Sequence, residues 1–508
     1  MHQTMDTILV HGKMRIVEKY DLLVVGGGIN GTGIARDAAG RGLTVLLCEQ
    51  DDLASHTSSA STKLIHGGLR YLETLHLQLV RKALQERELL LGAAPHIMRP
   101  LHFVMPHDAH LRPMWMIRAG LFLYDHLARR RHLAASAAIN LRTHIAGGAL
   151  QERFLRGFVY SDGWVDDARL VVLNAQDAAL HGARVLTRTR CAHIERVENQ
   201  WRATLSDRNG ARVITARAVV NATGPWVSAF VRDCSPLATA HTVRLVKGSH
   251  IVVPRLFAHR FAYIFQNTDR RIVFAIPYEH EFTLIGTTDL EYHGEPAAVR
   301  IAPAEVDYLC TIVNRYFRQQ IGPADVVWSY AGVRPLIEDE SADPAAVTRD
   351  YALEMDGEAA PLLSVFGGKI TTYRRLAAEA VDKLAARLGS RVAAWTHRAL
   401  LPGGDLPGGS FAAFLRVVER RYIWLPAALR VRYARAYGTT MHRMLGDAAA
   451  LTDLGTQILP GLYAREAEHL CRDEWAQSAA DILWRRTKLG LHAPPESAGQ
   501  LDTWLARR

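Results

Sequence analysis

The chain has 508 residues, of which 49% are hydrophobic and 22% charged, with 38 glycines and 20 prolines. This composition is typical of a folded protein of about three domains, and it excludes a disordered chain, a collagen-like chain and a small disulfide-held module. The 61 Lys and Arg residues against 51 Asp and Glu residues give a formal net charge of +10. That charge favours an anionic partner such as a phosphate, an acidic lipid headgroup or nucleic acid.

The five cysteines lie far apart and include no C-x-x-C pair. This spacing predicts a reducing compartment and argues against a disulfide framework, a zinc ribbon or an iron–sulfur cluster. The longest apolar stretch, residues 114–127, is interrupted by Arg118 and Asp125 and is shorter than the ~20 residues that span a bilayer. Residues 1–18 lack the apolar core of a signal peptide and are predicted to be an extension, with Met14 as an alternative start; export is not expected.

A glycine-rich turn lies between two predicted strands near the start of the chain. An apolar run over residues 21–25 predicts a buried strand, and it leads into Gly26-Gly-Gly-Ile-Asn-Gly31 and then into a helical pattern over residues 32–39. A second apolar run, residues 43–48, ends in Glu49. This order is typical of a dinucleotide-binding βαβ unit, whose ribose-binding acid lies about 20 residues beyond the turn.

Three glycines of this motif have a physical role in binding a dinucleotide. Gly26 permits the tight turn, Gly28 lets the backbone approach a pyrophosphate, and Gly31 lets the helix pack against the strand. The helix N-terminus supplies unpaired N–H groups and positive potential, and Glu49 is expected to accept hydrogen bonds from the ribose hydroxyls. The motif does not separate NAD from FAD, but it occurs once, so a single bound dinucleotide is predicted.

The remaining chain alternates strand-like and helical patterns, which predicts an α/β or α+β fold. Strands are predicted over residues 184–186, 218–221, 250–253, 271–276 and 282–286. Residues 401–409, Leu-Pro-Gly-Gly-Asp-Leu-Pro-Gly-Gly, are predicted to be a linker. From Phe411 onward the pattern is helical with scarcely a strand, which predicts a helical C-terminal domain.

Three further segments combine glycine with polar or charged side chains. Residues 57–71 (Thr-Ser-Ser-Ala-Ser-Thr-Lys-Leu-Ile-His-Gly-Gly-Leu-Arg-Tyr) suit hydrogen bonding to phosphate oxygens and close approach to a planar ring, with a polar surface loop as the alternative. Residues 221–226 (Asn-Ala-Thr-Gly-Pro-Trp) follow a predicted strand, and residues 366–373 (Phe-Gly-Gly-Lys-Ile-Thr-Thr-Tyr) precede a predicted helix. A helix N-terminus near Gly368 would stabilise negative charge on a reduced flavin.

With these segments the chain closely resembles the FAD-dependent, respiratory glycerol-3-phosphate dehydrogenases, a group within the D-amino-acid-oxidase-like flavoproteins. The resemblance runs from about Tyr20 to the C-terminus. The glycine turn is shared by many flavoproteins, whereas the His-Gly-Gly-Leu-Arg-Tyr and Gly-Val-Arg-Pro sequences are far more specific. The other segments that carry it are Trp164-Val-Asp-Asp-Ala-Arg169, Lys247-Gly-Ser-His250, Ile285-Gly-Thr-Thr-Asp289 and Gly332-Val-Arg-Pro335.

The resemblance implies oxidation of sn-glycerol 3-phosphate to dihydroxyacetone phosphate, with hydride transfer to flavin N5 and electrons passed from FAD to ubiquinone. Because ubiquinone is confined to the lipid phase, it also implies peripheral attachment to an anionic membrane surface, at the cytoplasmic face of the inner membrane. The basic charge and the lack of a predicted membrane span agree with such attachment. The family further implies a homodimer, and no nucleic acid is expected as a partner.

The glycine motif and the resemblance together predict the residues that contact each ligand. The predicted FAD contacts are Gly26, Gly28, Asn30, Gly31, Glu49, Thr57, Ser58, Ser59, Ser61, Lys63, Gly67, Gly68, Gly224, Gly367, Gly368 and Thr371. The predicted substrate contacts are His66, Arg70, Tyr71, Arg334, Arg349 and Lys369. A phosphate carrying nearly two charges needs several fixed cations, and a guanidinium group binds its oxygens with two hydrogen bonds.

Oxidation of a secondary alcohol needs a base within about 3 Å of the hydroxyl oxygen. Histidine is the natural candidate, and of the 23 histidines His66 and His250 lie in segments that carry the resemblance. We predict His250 as the base and Arg334 as the group that polarises the developing alkoxide. The sequence leaves open which histidine accepts the proton.

Two other clusters have weaker interpretations. His102, His107 and His110 lack the spacing and the carboxylates of a zinc site, so no metal is predicted. Residues 112–131 combine aromatic and aliphatic side chains with arginines at both ends. This pattern fits an interfacial amphipathic segment and, equally well, a buried helix with a basic end.

The predicted architecture has four parts. The extension (1–18) precedes a discontinuous, Rossmann-like FAD-binding domain (19–95, 150–243 and 330–400), an inserted antiparallel-sheet substrate domain (96–149 and 244–329) and the helical C-terminal domain (410–508). Two other functions stay open: an oxidase that passes electrons to oxygen, recognisable by peroxide production, and a nucleic-acid-binding or scaffolding protein, which would show no flavin absorption.

Overall fold

The computed structural model describes residues 5–10, 13–72, 76–108, 111–235, 237, 242–269, 271–337 and 350–508. Within these ranges, side chains are described from residue 18 onward, except that of Arg70. The described chain forms a nine-stranded sheet, a ten-stranded sheet and a two-stranded sheet, with α-helices packed around them.

The strands and helices are numbered in chain order. The strands are β1 (Met5–Val10), β2 (Lys13–Val25), β3 (Val45–Cys48), β4 (Leu64–Ile65), β5 (Met98–Pro106), β6 (Ala137–Asn140), β7 (Arg156–Val165), β8 (Arg184–Leu186), β9 (Arg190–Val197), β10 (Gln200–Asp207), β11 (Gly210–Asn221), β12 (Val243–Pro254), β13 (Ala262–Gln266), β14 (Ile272–Tyr278), β15 (Phe282–Gly286), β16 (Leu290–Glu291), β17 (Trp328–Ile337), β18 (Ala352–Asp356), β19 (Leu362–Phe366), β20 (Gln457–Leu459) and β21 (Leu462–Tyr463). The α-helices are α1 (Ile29–Gly40), α2 (Leu77–Ala93), α3 (Met114–His126), α4 (Asp167–Leu180), α5 (Val227–Cys234), α6 (Pro303–Tyr316), α7 (Tyr373–Leu388), α8 (Phe411–Arg421), α9 (Ala427–Tyr437), α10 (Met441–Leu445), α11 (Ala464–Glu474) and α12 (Ser497–Ala506), and a π-helical turn spans Asp481–Arg486.

The first sheet has the order β18-β19-β11-β2-β3-β8, and its strands from β19 to β8 run parallel. Successive side chains of β2 point to opposite faces. Leu22 and Val24 pack with α1, α4 and α7, whereas Leu23 and Val25 pack with α5 and with the hairpins of β9, β10 and β11. Other elements cover both faces of the sheet at the end of β2, which is why residues 22–25 are all apolar. Strand β2, helix α1 and strand β3 form the predicted βαβ unit, and β1, from the predicted extension, pairs antiparallel with the first part of β2.

The second sheet has the order β16-β12-β15-β14-β13-β5-β7-β4, with β17 paired to β12 and β6 to β7. Its pairings are antiparallel except the one between β13 and β5. Helix α6 covers one face through Leu309 and Val313, and helices α2 and α3 cover the other through Leu84 and Leu121. This is the antiparallel sheet expected for the substrate domain.

Three strands lie in a different sheet from the one that the predicted boundaries imply. Segments 19–95, 150–243 and 330–400 put β4, β7 and most of β17 with the FAD-binding domain. In the structure β4 and β5 both pair with β7, and β17 pairs with β12. Backbone hydrogen bonding therefore puts all three strands in the second sheet. The division into domains otherwise stays a prediction.

The C-terminal part has its own core, built from α8 to α12 and the β20–β21 hairpin, as expected for a helical domain. Residues 401–409 are not a free linker. Leu401 and Leu406 are buried, and a Cβ on Gly403 would lie 2.1 Å from the carbonyl oxygen of Tyr437. Gly403 and Gly404 therefore lie where neighbouring backbone packs too closely for a side chain, whereas Gly408 and Gly409 have open space and adopt positive φ values.

Candidate functional site

A cleft of about 1430 Å³ lies between the two large sheets. The first sheet lines it with the ends of β2 and β3 and with the turns that follow β11 and β19. The second sheet lines it with residues of β12, β13, β14 and β17. A crevice at the carboxyl ends of parallel strands is the usual position for a dinucleotide in an open α/β fold.

The glycine turn has the close contacts that the sequence predicts. Gly26 has a φ of +111°, and a Cβ there would lie 2.5 Å from the carbonyl oxygen of Ala222. A Cβ on Gly31 would lie only 1.9 Å from the carbonyl oxygen of Gly26. Gly26 and Gly28 line the cleft, whereas Gly31 lies behind them where α1 meets β2. The turn therefore lets a ligand approach the protein backbone on one side and lets helix α1 pack closely on the other.

Glu49 lies at the end of β3 and lines the cleft. Its carboxylate accepts a hydrogen bond from the backbone N–H of Gly27 at 2.6 Å and another from that of Asp51 at 2.8 Å. Burial raises the pKa of Glu49, while these two hydrogen bonds act in the opposite direction. Each carboxylate oxygen accepts more than one hydrogen bond, so Glu49 retains capacity for hydroxyl groups of a ligand.

The loop after β3 is fixed to three other elements. The Thr57 hydroxyl donates to the carbonyl of Val333 in β17 at 2.7 Å, and the Ser58 hydroxyl accepts from the backbone N–H of Ile29 at 3.0 Å. The Ser61 hydroxyl donates to Asp167 at the start of α4 at 2.7 Å. Thr57, Ser58 and Ser61 all line the cleft. A polar surface loop does not explain these contacts, because they hold the hydroxyl groups against the cleft wall.

Lys63 differs from its prediction as a cofactor contact. Its ammonium group is buried, donates to Asp167 at 2.8 Å and to the carbonyl of Ser59 at 3.1 Å, and lies 5.1 Å from the centre of the Tyr330 ring. It is not among the described residues that line the cleft. A buried ammonium group needs a paired anion, and Asp167 meets that need; Lys63 therefore supports the loop from behind.

Several other predicted cofactor residues also lie behind the cleft wall. The Ser59 hydroxyl donates within its own turn to the carbonyl of His56, the N–H of Gly67 donates to the Tyr124 hydroxyl, and the Thr371 hydroxyl accepts from the N–H of His66. Gly68, Gly224, Gly367 and Gly368, in contrast, line the cleft.

Asn30 connects the glycine turn to the turn after β19. Its amide nitrogen donates to the carbonyl of Gly367 at 3.2 Å, while its buried amide oxygen has no protein partner. Gly367 and Gly368 have φ values of +74° and +99°, which place their backbone against the cleft. Helix α7 begins only at Tyr373, so its N-terminus lies further along the chain than the predicted position near Gly368.

Cationic side chains face the part of the cleft beside this turn. Arg334 pairs with Asp289, and its second terminal nitrogen lies 3.4 Å from the Thr287 hydroxyl. The ammonium group of Lys369 lies 4.2 Å from the centre of the Tyr71 ring. These residues line the cleft together with His66. Arg349 and the side chain of Arg70 lie outside the described part of the chain, so their predicted roles stay predictions.

His250 does not line the cleft, contrary to the expectation that a base touches the substrate. Its side chain is 1% exposed, its ring stacks on Tyr330 with centroids 4.7 Å apart, and Gly286 packs against its other side. The Nε2 atom lies 3.0 Å from the hydroxyl of Thr62, which does line the cleft. Burial, with the charges of Arg334 and Lys63, lowers the pKa of His250 well below its usual range. Among the described residues, Thr62 is the one that connects His250 to the cleft by a hydrogen bond.

Thr62 and Asp289 are site residues that the sequence does not predict individually, although both lie in segments that carry the family resemblance. Nothing in the local pattern shows that Thr62 separates His250 from the cleft, or that Asp289 pairs with Arg334. Both contacts join residues distant in the chain, so they follow from the tertiary fold and not from local spacing.

Comparison with known proteins identifies the family. The model of the FAD-dependent oxidoreductase family matches residues 21–374. The chain is 54% identical over 494 residues to a glycerol-3-phosphate dehydrogenase of Pseudomonas aeruginosa, covering 96% of each chain. The chain belongs to the FAD-dependent glycerol-3-phosphate dehydrogenase family. It is also 46% identical over 490 residues to a D-erythritol 1-phosphate dehydrogenase of Brucella abortus, covering 96% of this chain and 98% of that protein.

A solved member of this family is the FAD complex of a glycerol-3-phosphate dehydrogenase from Bacillus halodurans. It is 28% identical, covers 96% of this chain and 90% of its own, and superposes with a TM-score of 0.77. The predicted α/β fold and FAD as the cofactor are thus confirmed. The cleft fits FAD: the glycine turn approaches without side chains, and the buried Asn30 oxygen offers an unused acceptor beside it. Membership in this family decides against a scaffolding or nucleic-acid-binding protein.

The described residues lack two further features. No described helix is both long enough and apolar enough to cross a bilayer. Within the same ranges, no group of three or more His, Cys, Asp and Glu side chains is arranged to hold a metal ion.

Proposed function

We propose that the chain oxidises sn-glycerol 3-phosphate to dihydroxyacetone phosphate, with hydride transfer to flavin N5 and electrons passed on to ubiquinone. The observation that carries this proposal is the cationic part of the cleft, where Arg334 and Lys369 face the space beside the Gly367-Gly368 turn. A phosphate dianion is bound best by such fixed cations. The names of the relatives agree in substrate class, since both describe phosphorylated polyols.

The two cations are held in place before the substrate arrives. Asp289 and Thr287 engage Arg334 from one side, and the remaining N–H groups of its planar guanidinium can donate to the phosphate or to the C2 oxygen. Lys369 lies over the Tyr71 ring, which stabilises its charge by a cation–π contact. Little side-chain entropy is then lost when the phosphate binds.

FAD, when bound, supplies the hydride acceptor at N5. Thr62 and His250 provide a route for the hydroxyl proton: the Thr62 oxygen accepts it while the Thr62 hydroxyl donates its own proton to His250 Nε2, 3.0 Å away. The lowered pKa of His250 keeps the imidazole neutral, so that Nε2 can carry a lone pair, but it also makes His250 a weaker base before the substrate binds. A bound phosphate dianion offsets the charge of Arg334, so substrate binding makes His250 more basic.

Anaerobic mixing of the yellow holoenzyme with candidate substrates tests the reaction. We expect sn-glycerol 3-phosphate to bleach the flavin, glycerol and glycine to leave it oxidised, and D-erythritol 1-phosphate to bleach it more slowly. Persistent oxidised colour with sn-glycerol 3-phosphate would refute the proposal. Faster bleaching by D-erythritol 1-phosphate would instead identify that compound as the preferred substrate.

Variants locate the roles of individual groups. Arg334→Ala removes charge-assisted hydrogen bonds worth about 3 kcal/mol and should slow bleaching about 100-fold. The matched control Arg232→Ala removes another cleft-lining arginine, one whose side chain is 71% exposed, and should bleach like the wild type.

Thr62→Val should lower kcat strongly, because it removes the hydroxyl that accepts the proton, whereas Thr62→Ser keeps a hydroxyl and should retain most of the wild-type kcat. Equal rates for Thr62→Val and Thr62→Ser would rule out the proton route.

Ubiquinone as the acceptor is supported by an apolar part of the same cleft. Phe103 stacks on Tyr160 at 5.3 Å and meets Phe274 edge to face at 5.7 Å, and all three line the cleft. Leu121 and Tyr124 of α3 belong to the same packed cluster. An apolar part of the cleft wall that packs against α3 suits a lipid-soluble quinone. Phe274→Glu should raise the KM for a short-chain ubiquinone while substrate still bleaches the flavin; peroxide formation faster than quinone reduction would favour an oxidase.

Peripheral membrane attachment is supported by the outer face of α3. Trp115 is 70% exposed and Phe122 is 56% exposed, and the arginines Arg112, Arg118, Arg129 and Arg131 around them are also exposed. Such a helix suits the interface of an anionic bilayer. Phe122→Glu should weaken binding to anionic vesicles, whereas Ile423→Glu, at an 80% exposed position of the C-terminal domain, should not. Equal binding of both variants would contradict the proposal that the outer face of α3 contacts the membrane. The cytoplasmic face of the inner membrane and the homodimer remain part of the proposal.

A further inference from the structure

The C-terminal helical domain reaches the cofactor cleft from behind. Its π-helical turn, Asp481–Arg486, lies against two loops, residues 49–56 after β3 and residues 187–191, which connect β8 to β9 and include the first two residues of β9. Both loops supply parts of the cleft wall. The lining residues that they contribute are Glu49, Gln50, Ala54, Ser55, His56, Thr189, Arg190 and Cys191.

Buried ion pairs make this contact. Arg486 donates to both carboxylate oxygens of Asp52 at 2.7 Å, and both side chains are fully buried. Arg485 donates to Asp52 at 2.6 Å and also pairs with Asp481. Asp481 in turn accepts two hydrogen bonds from Arg188, at 2.8 and 2.9 Å. The first loop thus presents Asp52 to the turn and the second presents Arg188, and both side chains pair with oppositely charged residues of the turn.

Backbone hydrogen bonds connect these contacts to the cofactor side. The N–H of Arg188 donates to the carbonyl of Asp51 at 2.8 Å, and the N–H of Thr189 donates to that of Glu49 at 2.7 Å. The N–H of Ala54 donates to the carbonyl of Gly27 in the glycine turn at 3.2 Å. The two loops are therefore joined to each other and to the glycine turn, so a shift at Asp52 is transmitted to Glu49.

We propose that the turn Asp481–Arg486, here termed the C-terminal clasp, positions both loops for FAD, and that Arg485 and Arg486 are positioning residues for cofactor retention. The inference rests on FAD as the cofactor and not on the identity of the substrate. Without the clasp, Asp52 is a buried charge with no cation, and the loop must rearrange to let water reach it. The family model ends at residue 374, so the clasp lies outside the part of the chain that defines the wider oxidoreductase family.

Release of FAD from diluted holoenzyme, followed by the rise in flavin fluorescence, tests the clasp. Arg486→Met, Arg485→Met and Arg188→Met should each raise the Kd for FAD about tenfold or more. Arg485→Lys keeps one ion pair and should fall between Arg485→Met and the wild type. These measurements need no substrate, so their outcome is independent of the proposed reaction.

A matched control separates positioning from general loss of stability. Arg432 pairs with Glu466 at 2.6 Å inside the C-terminal domain. Arg432→Met should lower the melting temperature yet retain FAD like the wild type. The proposal is overturned if Arg432→Met releases FAD as readily as Arg485→Met, or if Arg485→Met and Arg188→Met retain it like the wild type. Should Arg486→Met not fold, these two variants decide, since their arginines are 15% and 33% exposed.

Discussion

A buried ion pair between Arg169 and Glu474 joins the C-terminal domain to helix α4. Both side chains are at most 1% exposed, and Arg169 also donates to the carbonyl of Ala436 at 3.1 Å. Burial by itself raises the pKa of Glu474, but the charge of Arg169 and the hydrogen bonds from His469 and Arg169 outweigh it and lower the pKa to about 2. Replacing Glu474 with Gln keeps the shape of the side chain and removes its charge.

The size of the effect follows from the pKa. A carboxyl that titrates near 4.5 in the unfolded chain and near 2 in the folded one contributes about 3 kcal/mol at pH 7. Breaking a buried ion pair from one side costs about 3–5 kcal/mol, in agreement. Because the folded pKa is depressed, this stability is fully present above about pH 4.5 and is lost as the pH falls toward 2, so less than half remains at about pH 3.

Urea unfolding of Glu474→Gln and of the wild type, at pH 7 and pH 3, measures this contribution. We expect a difference of about 3 kcal/mol at pH 7 that shrinks by more than half at pH 3. The control Glu468→Gln, on the same helix but 46% exposed and paired only loosely with Arg508, should change stability little at either pH. An equal difference at both pH values, or none at pH 7, would refute the reasoning.

Three further substitutions have defined outcomes. Gly31→Ala places a methyl group 1.9 Å from the Gly26 carbonyl oxygen and should displace α1, so that the purified protein shows a lowered ratio of flavin to protein absorbance; Gly120→Ala, with open space, should not. Lys63→Met leaves Asp167 buried without a cation and should cost about 3–5 kcal/mol in thermal unfolding. Asp289→Asn frees Arg334 from its partner and should raise the KM for sn-glycerol 3-phosphate more than it lowers kcat in steady-state assays.

The sequence predicts the FAD-binding half well because its signals are local. The turn from Gly26 to Gly31 is constrained by contacts within a few residues and by one neighbouring strand, so spacing alone reveals it. Strands β8 and β15 match their predicted bounds for the same reason, since each is a short apolar run between turn residues. The placement of β7 depends instead on pairing with β5, a partner about fifty residues away, which no local pattern encodes.

Side-chain roles at the site are harder to predict than backbone positions. Lys63 and Arg334 both lie in polar segments that suit an anion, yet Lys63 is buried against Asp167 while Arg334 faces the cleft. The difference depends on which carboxylate the fold brings close. His250 likewise lies in the right segment, but the packing of Tyr330 and Gly286 on either side of its ring removes it from the cleft wall.

Residues that bind the phosphate and residues that accept the hydroxyl proton should affect different kinetic constants. The phosphate is present unchanged in sn-glycerol 3-phosphate, in the transition state and in dihydroxyacetone phosphate, so a cation that binds it stabilises all three alike and lowers KM without raising kcat. Only a group at the C2 oxygen meets a charge that develops during the reaction. If Lys369 binds the phosphate and Thr62 binds the hydroxyl, loss of the Lys369 side chain raises KM and loss of the Thr62 hydroxyl lowers kcat. Arg334, whose guanidinium can span both oxygens, should affect both constants.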